Sequence, residues 1–98
     1  MKFVQMIEYK TKDIDAVRKL DDEWMAATEG KRPAGRALNC ADRDNPGRYF
    51  AIVEFASYED AMKNNELPET EEFSEKMMGL ADGPPTFYNL DVVYEQGA

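Results

Sequence analysis

The side chains best suited to chemistry in this 98-residue chain are carboxylates and amides set among aromatic and branched residues. Gln5 lies in KFVQMIEY, Glu54 in RYFAIVEF, and Asn89 and Asp91 in TFYNLDVVYE. A carboxylate held in apolar surroundings loses solvation, so its proton affinity rises towards the range of a general base. Glu54 or Asp91 would then abstract a proton from a phenol or an activated carbon. Arg36, one segment earlier, would oppose a raised Glu54 pKa and is better placed to hold a substrate oxyanion. The plainer reading of the same group is a hydrogen-bonded polar network that fixes the register of an interface.

Other chemistries find no residues. The chain has no histidine, which removes the usual neutral-pH base, the Ser-His and Cys-His pairs and the commonest transition-metal ligand. Its six glycines stand at turns and make no phosphate-binding loop. Asp13-Ile14-Asp15 and Asp42-Arg43-Asp44 lack calcium-loop spacing and read as a helix start and a turn. No metal site and no cofactor are expected. Cys40 is alone, so no intrachain disulfide forms, and in a strand it reads as a small buried apolar residue.

The formal charge of −8 opposes binding to a phosphate backbone, so no nucleic-acid partner is expected. Lys31, Arg32, Arg36, Arg43 and Arg48 nevertheless gather around the middle of the chain, whereas the stretch from Glu54 to Glu75 is strongly acidic. The start, MKFVQ, opens no long apolar run, so neither a signal peptide nor a membrane span is expected and the location reads as cytoplasmic.

The elements that must position these groups follow from periodicity. Lys2 to Tyr9 reads as a strand. Thr11 or Asp13 caps a helix in which Ile14, Val17, Leu20, Trp24 and Ala27 form an apolar stripe, with Gly30 and Pro33 at its exit. Arg36 to Ala41 and Arg48 to Ala56 read as strands joined by the turn Asp44-Asn45-Pro46-Gly47. Placing Asp42 opposite Arg48 sets Cys40 against Phe50, Leu38 against Ile52 and Arg36 against Glu54. Ser57 caps a short helix that Pro68 interrupts. A restart at Pro68 carries Phe73, Met77 and Leu80 inward and ends at Gly79 or Gly83. Met62, Met77 and Met78 are expected to fill gaps in the core. Thr86 to Glu95 is the last strand.

This order predicts one α+β domain over residues 1–98, a ferredoxin-like βαββαβ fold with a four-stranded antiparallel sheet and two helices on one face. Alternation assigns Val4, Met6, Ala51, Val53, Phe55, Leu90 and Val92 to the helices. Phe3, Gln5, Ile7, Tyr9, Phe50, Ile52, Glu54, Phe87, Asn89, Asp91 and Val93 form the other set. That second face is too apolar for water. Its simplest cover is a symmetric homodimer, with Phe3, Gln5, Ile7, Phe50, Ile52 and Asn89 in the interface.

In this arrangement the chain resembles the dimeric α+β barrel superfamily, in particular its antibiotic-biosynthesis-monooxygenase-like branch. The resemblance runs through Phe3 to Tyr9, the Trp24 helix, RYFAIVEF at 48–55 and Ser57-Tyr58-Glu59-Asp60-Ala61. Asn65 to Phe73 and Asp82 to Val92 are similar to segments of small members of that branch. It implies a cleft between sheet and helices that holds a flat aromatic or polyketide-like molecule. Cofactor-independent quinone-forming oxygenases of the branch use aromatic, Asn and Arg side chains, and Trp24, Tyr58, Asn64, Asn65 and Arg36 are the matching types. Phe73 and Met77 complete the candidate ligand contacts. Haem-degrading and cyclase members rely on histidine, which is missing here. The expected function is therefore a cofactor-independent, monooxygenase-like enzyme for an aromatic small molecule. The alternative is a non-catalytic small-molecule-binding or dimerisation module, its cleft filled by Trp24, Phe73 and Met77.

Overall fold

The computed structural model describes residues 1–33 and 35–97. Seven elements follow in order: β1 (Phe3–Lys10), α1 (Ile14–Ala27), β2 (Gly35–Ala41), β3 (Arg48–Phe55), α2 (Tyr58–Glu66), α3 (Pro68–Leu80) and β4 (Thr86–Asp91). The strands make one antiparallel sheet in the order β2-β3-β1-β4, so the two interior strands belong to different halves of the chain. This is the ferredoxin-like α+β arrangement, with the second helical segment divided in two. The division falls at Leu67 because Pro68 cannot extend α2 but suits the first turn of α3.

Local chemistry sets the element ends. The Asp13 carboxylate accepts from the Ala16 amide at 3.1 Å and starts α1, and the Ser57 hydroxyl accepts from the Asp60 amide at 3.2 Å and starts α2. Thr11 is not the cap. Its buried hydroxyl donates to the Leu80 carbonyl at 2.7 Å and accepts from the Asp13 amide at 3.1 Å, which ties the end of α3 to the start of α1. In the β2–β3 turn, Gly47 takes φ +92° and its carbonyl accepts from the Thr11 amide at 3.0 Å. α3 runs through Gly79, and Gly83, at φ +88°, makes the turn towards β4.

The hairpin register is the expected one: Arg36 faces Glu54, Leu38 faces Ile52 and Cys40 faces Phe50. Asp42 meets Arg48 both through the backbone, at 2.9 Å, and through their side chains, at 2.9 Å. At the other end Gly35 lies opposite Phe55, where an added Cβ would collide with the Glu54 carbonyl. Gly35→Ala should therefore destabilise the chain by about 1–3 kcal/mol, measured by urea unfolding, because backbone and not a flexible side chain must give way.

The assignment of residues to sheet faces needs correction. Phe3 stands opposite Phe55, so Phe3, Gln5, Ile7 and Tyr9 share a face with Tyr49, Ala51, Val53 and Phe55, and with Phe87, Asn89 and Asp91 of β4. This is the helix side. Phe3 and Phe55, 3% and 4% exposed, form the core with Ala61 of α2, and the Phe3 ring meets Tyr58 edge-on at 5.4 Å. Val4, Met6, Phe50, Ile52, Glu54, Leu90 and Leu38 share the opposite face, which no helix covers. Of the expected interface residues only Phe50 and Ile52 lie there, whereas Phe3, Gln5, Ile7 and Asn89 point to the helix side. Both residue sets of β1 are largely apolar, so alternation alone left its parity open, and a one-residue change inverts it.

Three further expectations differ from the structure. β4 stops at Asp91 and not Glu95, because β1 begins at Phe3 and offers later residues no ladder. One bond, Val92 amide to Lys2 carbonyl at 2.9 Å, extends the pairing. Cys40 is exposed, since β2 is an edge strand without a covering helix. Met62 does pack on the core and Met77 is half-buried, but Met78 points into solvent.

Candidate functional site

Helix α1 turns Val17, Asp21, Trp24 and Thr28 towards the sheet and α3, at steps of four, three and four. Val17 and Thr28 are buried, whereas Asp21 and Trp24 are half-buried. A carboxylate thus occupies a position where the helical period calls for an apolar residue. Burial pushes the Asp21 pKa above its ordinary value, the nearby Asp22 adds to the rise, and the Arg32 guanidinium opposes it.

The sheet supplies the opposite wall. Tyr9 is buried and its ring stacks on Tyr49, its cross-strand partner, at 5.8 Å. Burial raises the Tyr9 phenol pKa, and the negative charges of ionised Tyr49 and Asp21 add to this. Asp21 thus lies within charge range of Tyr9 on the sheet and of Arg32 beyond the end of α1, and the three residues mark a seam beneath the helix.

Arg32 is held where the seam meets the C-terminal end of α1. One of its guanidinium nitrogens, Nη1, donates to the Met25 carbonyl at 2.8 Å and to the Thr28 hydroxyl at 3.1 Å. Thr28 in turn donates to the Trp24 carbonyl at 2.8 Å. The guanidinium stands 5.7 Å from the centre of the Trp24 ring, a cation–π contact. Trp24 bridges to α3, since its indole N–H donates to the Thr70 hydroxyl at 2.9 Å and its ring lies 5.9 Å from that of Phe73. Beside it Lys31 pairs with Glu69 Oε1 at 3.3 Å, while Glu69 Oε2 is enclosed without a hydrogen-bond partner among the described residues.

Two grooves run between α1 and α3. One, of about 140 Å³, is bordered by Trp24 and Phe73 together with Leu20, Ala27, Glu69 and Lys76. The other, of about 430 Å³, is bordered by Ala16, Leu20, Lys76 and Leu80. Trp24 borders the smaller groove and also carries the Arg32 guanidinium over its ring, whereas Tyr9, Asp21 and Arg32 are not among the residues that line the groove.

The residues singled out from sequence are distributed as follows. Trp24 and Phe73 come together, and Met77 follows Phe73 one turn along α3. Tyr58 packs on Phe3 under α2. Asn64 is buried on α2 on the same side as Ala61, whereas Asn65 is exposed. Gln5 and Asn89 meet across the strands, Gln5 Nε2 lying 3.5 Å from Asn89 Oδ1, and Asp91 is exposed at the end of the same face. Glu54 is not with them. It lies on the uncovered face, 3.6 Å from Arg36, so the expected convergence of Gln5, Glu54, Asn89 and Asp91 does not occur. Sequence reasoning missed Asp21, Tyr9 as a site residue, and Arg32. The available signal was the carboxylate at position 21 between Val17 and Trp24.

Among the described residues no cluster of three or more His, Cys, Asp or Glu is placed to hold a metal ion, and no helix is long and apolar enough to cross a membrane. No family model and no curated protein sequence matches the chain. Solved structures do match it over nearly its full length. A protein of Nitrosomonas europaea, named as a candidate antibiotic biosynthesis monooxygenase, superposes with a TM-score of 0.80 at 14% identity, covering 98% of this chain and 94% of that one. The cofactor-independent oxygenase SnoaB of Streptomyces nogalater, in a form with one asparagine replaced by alanine, also gives 0.80, at 11% identity and 96% and 95% coverage. The chain has the fold of the antibiotic biosynthesis monooxygenases. The Mycobacterium tuberculosis protein Rv0793 shares this monooxygenase-like fold, with a TM-score of 0.79, 14% identity and coverage of 99% and 100%. At such identities the likeness extends to architecture alone.

Proposed function

We propose that the protein is a cofactor-independent oxygenase for a hydroxyaromatic or polyketide-like small molecule, and that it works as a homodimer. The observation carrying this reading is the half-buried Asp21 carboxylate, three residues before Trp24 on the same face of α1, Trp24 itself bordering the groove with Phe73. A flat ring stacks on the two aromatic side chains. Asp21 takes a proton from the activated ring carbon, and Arg32 steadies the negative charge that spreads onto the substrate oxygen. The resulting anion itself reduces dioxygen. One oxygen atom stays on the carbon as a ketone, and the other leaves as water with the two hydrogens that carbon has lost. The overall change consumes one dioxygen per quinone formed.

The uncovered sheet face supports the dimer. It carries Leu38, Phe50, Ile52, Val4, Met6 and Leu90, and the chain exposes 7120 Å² of surface. A compact monomer of this mass exposes about 5,700 Å², so about 1,400 Å² remains to be covered.

The test is dioxygen consumption by purified, cofactor-free protein given a hydroxyanthrone. Saturable uptake above the protein-free rate is expected, unchanged by Glu54→Gln or Asp91→Asn. The Trp24–Phe73 contact favours one other reading, a non-catalytic binding or dimerisation module. Quenching of Trp24 fluorescence by the same compound without dioxygen uptake would establish that module and overturn the oxygenase.

A further inference from the structure

The smaller groove between α1 and α3 is acidic as well as aromatic. Glu23, Glu69 and Glu72 border it, and Lys76 is its one basic residue. The larger groove has the opposite balance, with Lys19 and Lys76 against Glu23. The excess of negative charge therefore gathers where Trp24 and Phe73 stand, 5.9 Å apart.

Ion pairs within the chain leave part of that charge unanswered. Lys76 Nζ lies 3.1 Å from Glu72 Oε1, and Lys31 Nζ lies 3.3 Å from Glu69 Oε1. Glu23 has no ion pair among the described residues. The Glu69 side chain is only 22% exposed, and its Oε2 is enclosed with no hydrogen-bond partner among the described residues. A carboxylate oxygen withdrawn from water is unfavourable until a donor reaches it. The aromatic wall asks for the same kind of group. Trp24 already holds one cation, Arg32, over its ring, and both aromatic faces and carboxylates attract positive charge and repel negative. At about 140 Å³ the groove is also smaller than the ~300–1,000 Å³ that encloses a whole drug-sized ligand, so it takes one part of a molecule.

We propose that the substrate carries a basic amine, and that this groove holds it as an ammonium against Trp24 and Phe73, with Glu69 and Glu23 as its counter-charges. This rests on the oxygenase reading of the same groove and names the substrate class, an amino-substituted hydroxyaromatic. The ammonium adds affinity and takes no part in the proton or oxygen chemistry.

Trp24 is the chain's single tryptophan, so its fluorescence reports on the groove. The test titrates the intact protein with three phenols that differ at the end of one short side chain: tyramine with an ammonium, tyrosol with a hydroxyl and phloretate with a carboxylate. Tyramine is expected to bind about tenfold or more tighter than tyrosol, with phloretate the weakest, and added salt should narrow the difference. The double variant Glu23→Gln with Glu69→Gln should bind tyramine no better than tyrosol, with an unchanged far-UV circular dichroism spectrum. The single variant Glu23→Gln, at an exposed position, should show part of the same loss. Equal affinity of wild type for tyramine and tyrosol would overturn the ammonium site and leave the hydroxyaromatic reading standing. A tyramine preference that survives in the folded double variant would overturn the groove as its source. No response to any of the three would overturn the groove as a binding site and the ammonium with it, whereas the oxygenase reading fails separately, by absence of dioxygen uptake.

Discussion

Replacing Asp21 by asparagine is expected to lower turnover by about 10²–10⁴-fold, the usual contribution of a general base, without lowering stability at neutral pH. The two effects separate because the carboxylate is held where its charge is disfavoured. Burial raises its pKa in the folded chain, so the folded state binds a proton more tightly than the unfolded state does. The stability associated with that proton is fully present below the unfolded pKa, near 3.8, and is lost as pH rises through the folded value. Above that window wild type carries a buried charge that the asparagine variant lacks. Urea unfolding should find the two proteins similar in stability near pH 3 and the variant the more stable near pH 7. Wild-type turnover should rise with pH through the same window as Asp21 ionises. A variant that loses turnover and stability together would mark Asp21 as a structural residue.

Replacing Phe55 by alanine should have the largest effect on stability. Phe55 and Phe3 are cross-strand partners on the two interior strands, and Ala61 of α2 closes over them. Truncating a buried phenylalanine costs about 3–5 kcal/mol, against a total of about 5–15 kcal/mol for a domain of ordinary stability. So small a core has little neighbouring mass to refill the cavity. A loss of that size, read by urea unfolding, removes a large share of the chain's stability and should lower the transition midpoint accordingly. The comparison is Phe87→Ala, since Phe87 shares the helix side but is exposed, and its loss should be within about 1 kcal/mol.

The segment order was legible because each element carried its own local signals. Asp13 and Ser57 start helices, Pro68 divides the second helical region, and Asp42 and Arg48 pin the hairpin register. Such signals act within a few residues and survive without tertiary knowledge. The sheet faces of β1 and β4 were not legible. FVQMIEY places apolar side chains on both sides of the strand, and only the pairing of Phe3 with Phe55 decides which side meets the helices. That one inversion moved Glu54 away from Gln5 and Asn89 and brought Tyr9 into the site. Asp21 escaped notice for a related reason. Leu20 and Ala27 made a stripe that fits a helical period, but they border the α1–α3 grooves, and the face over the sheet is set by Val17, Asp21 and Thr28. Period locates a stripe, whereas the rotation of the helix about its axis depends on what it packs against.

The reading of the seam as an oxygenase site is tested most directly by following isotopic oxygen. Cofactor-free protein turning over a hydroxyanthrone under ¹⁸O₂ should yield a quinone with one ¹⁸O atom per molecule, the other labelled atom appearing in water, and the Asp21→Asn variant should form labelled product about 10²–10⁴-fold more slowly. A product free of label, or label entering equally fast with wild type, the variant and buffer, would contradict it.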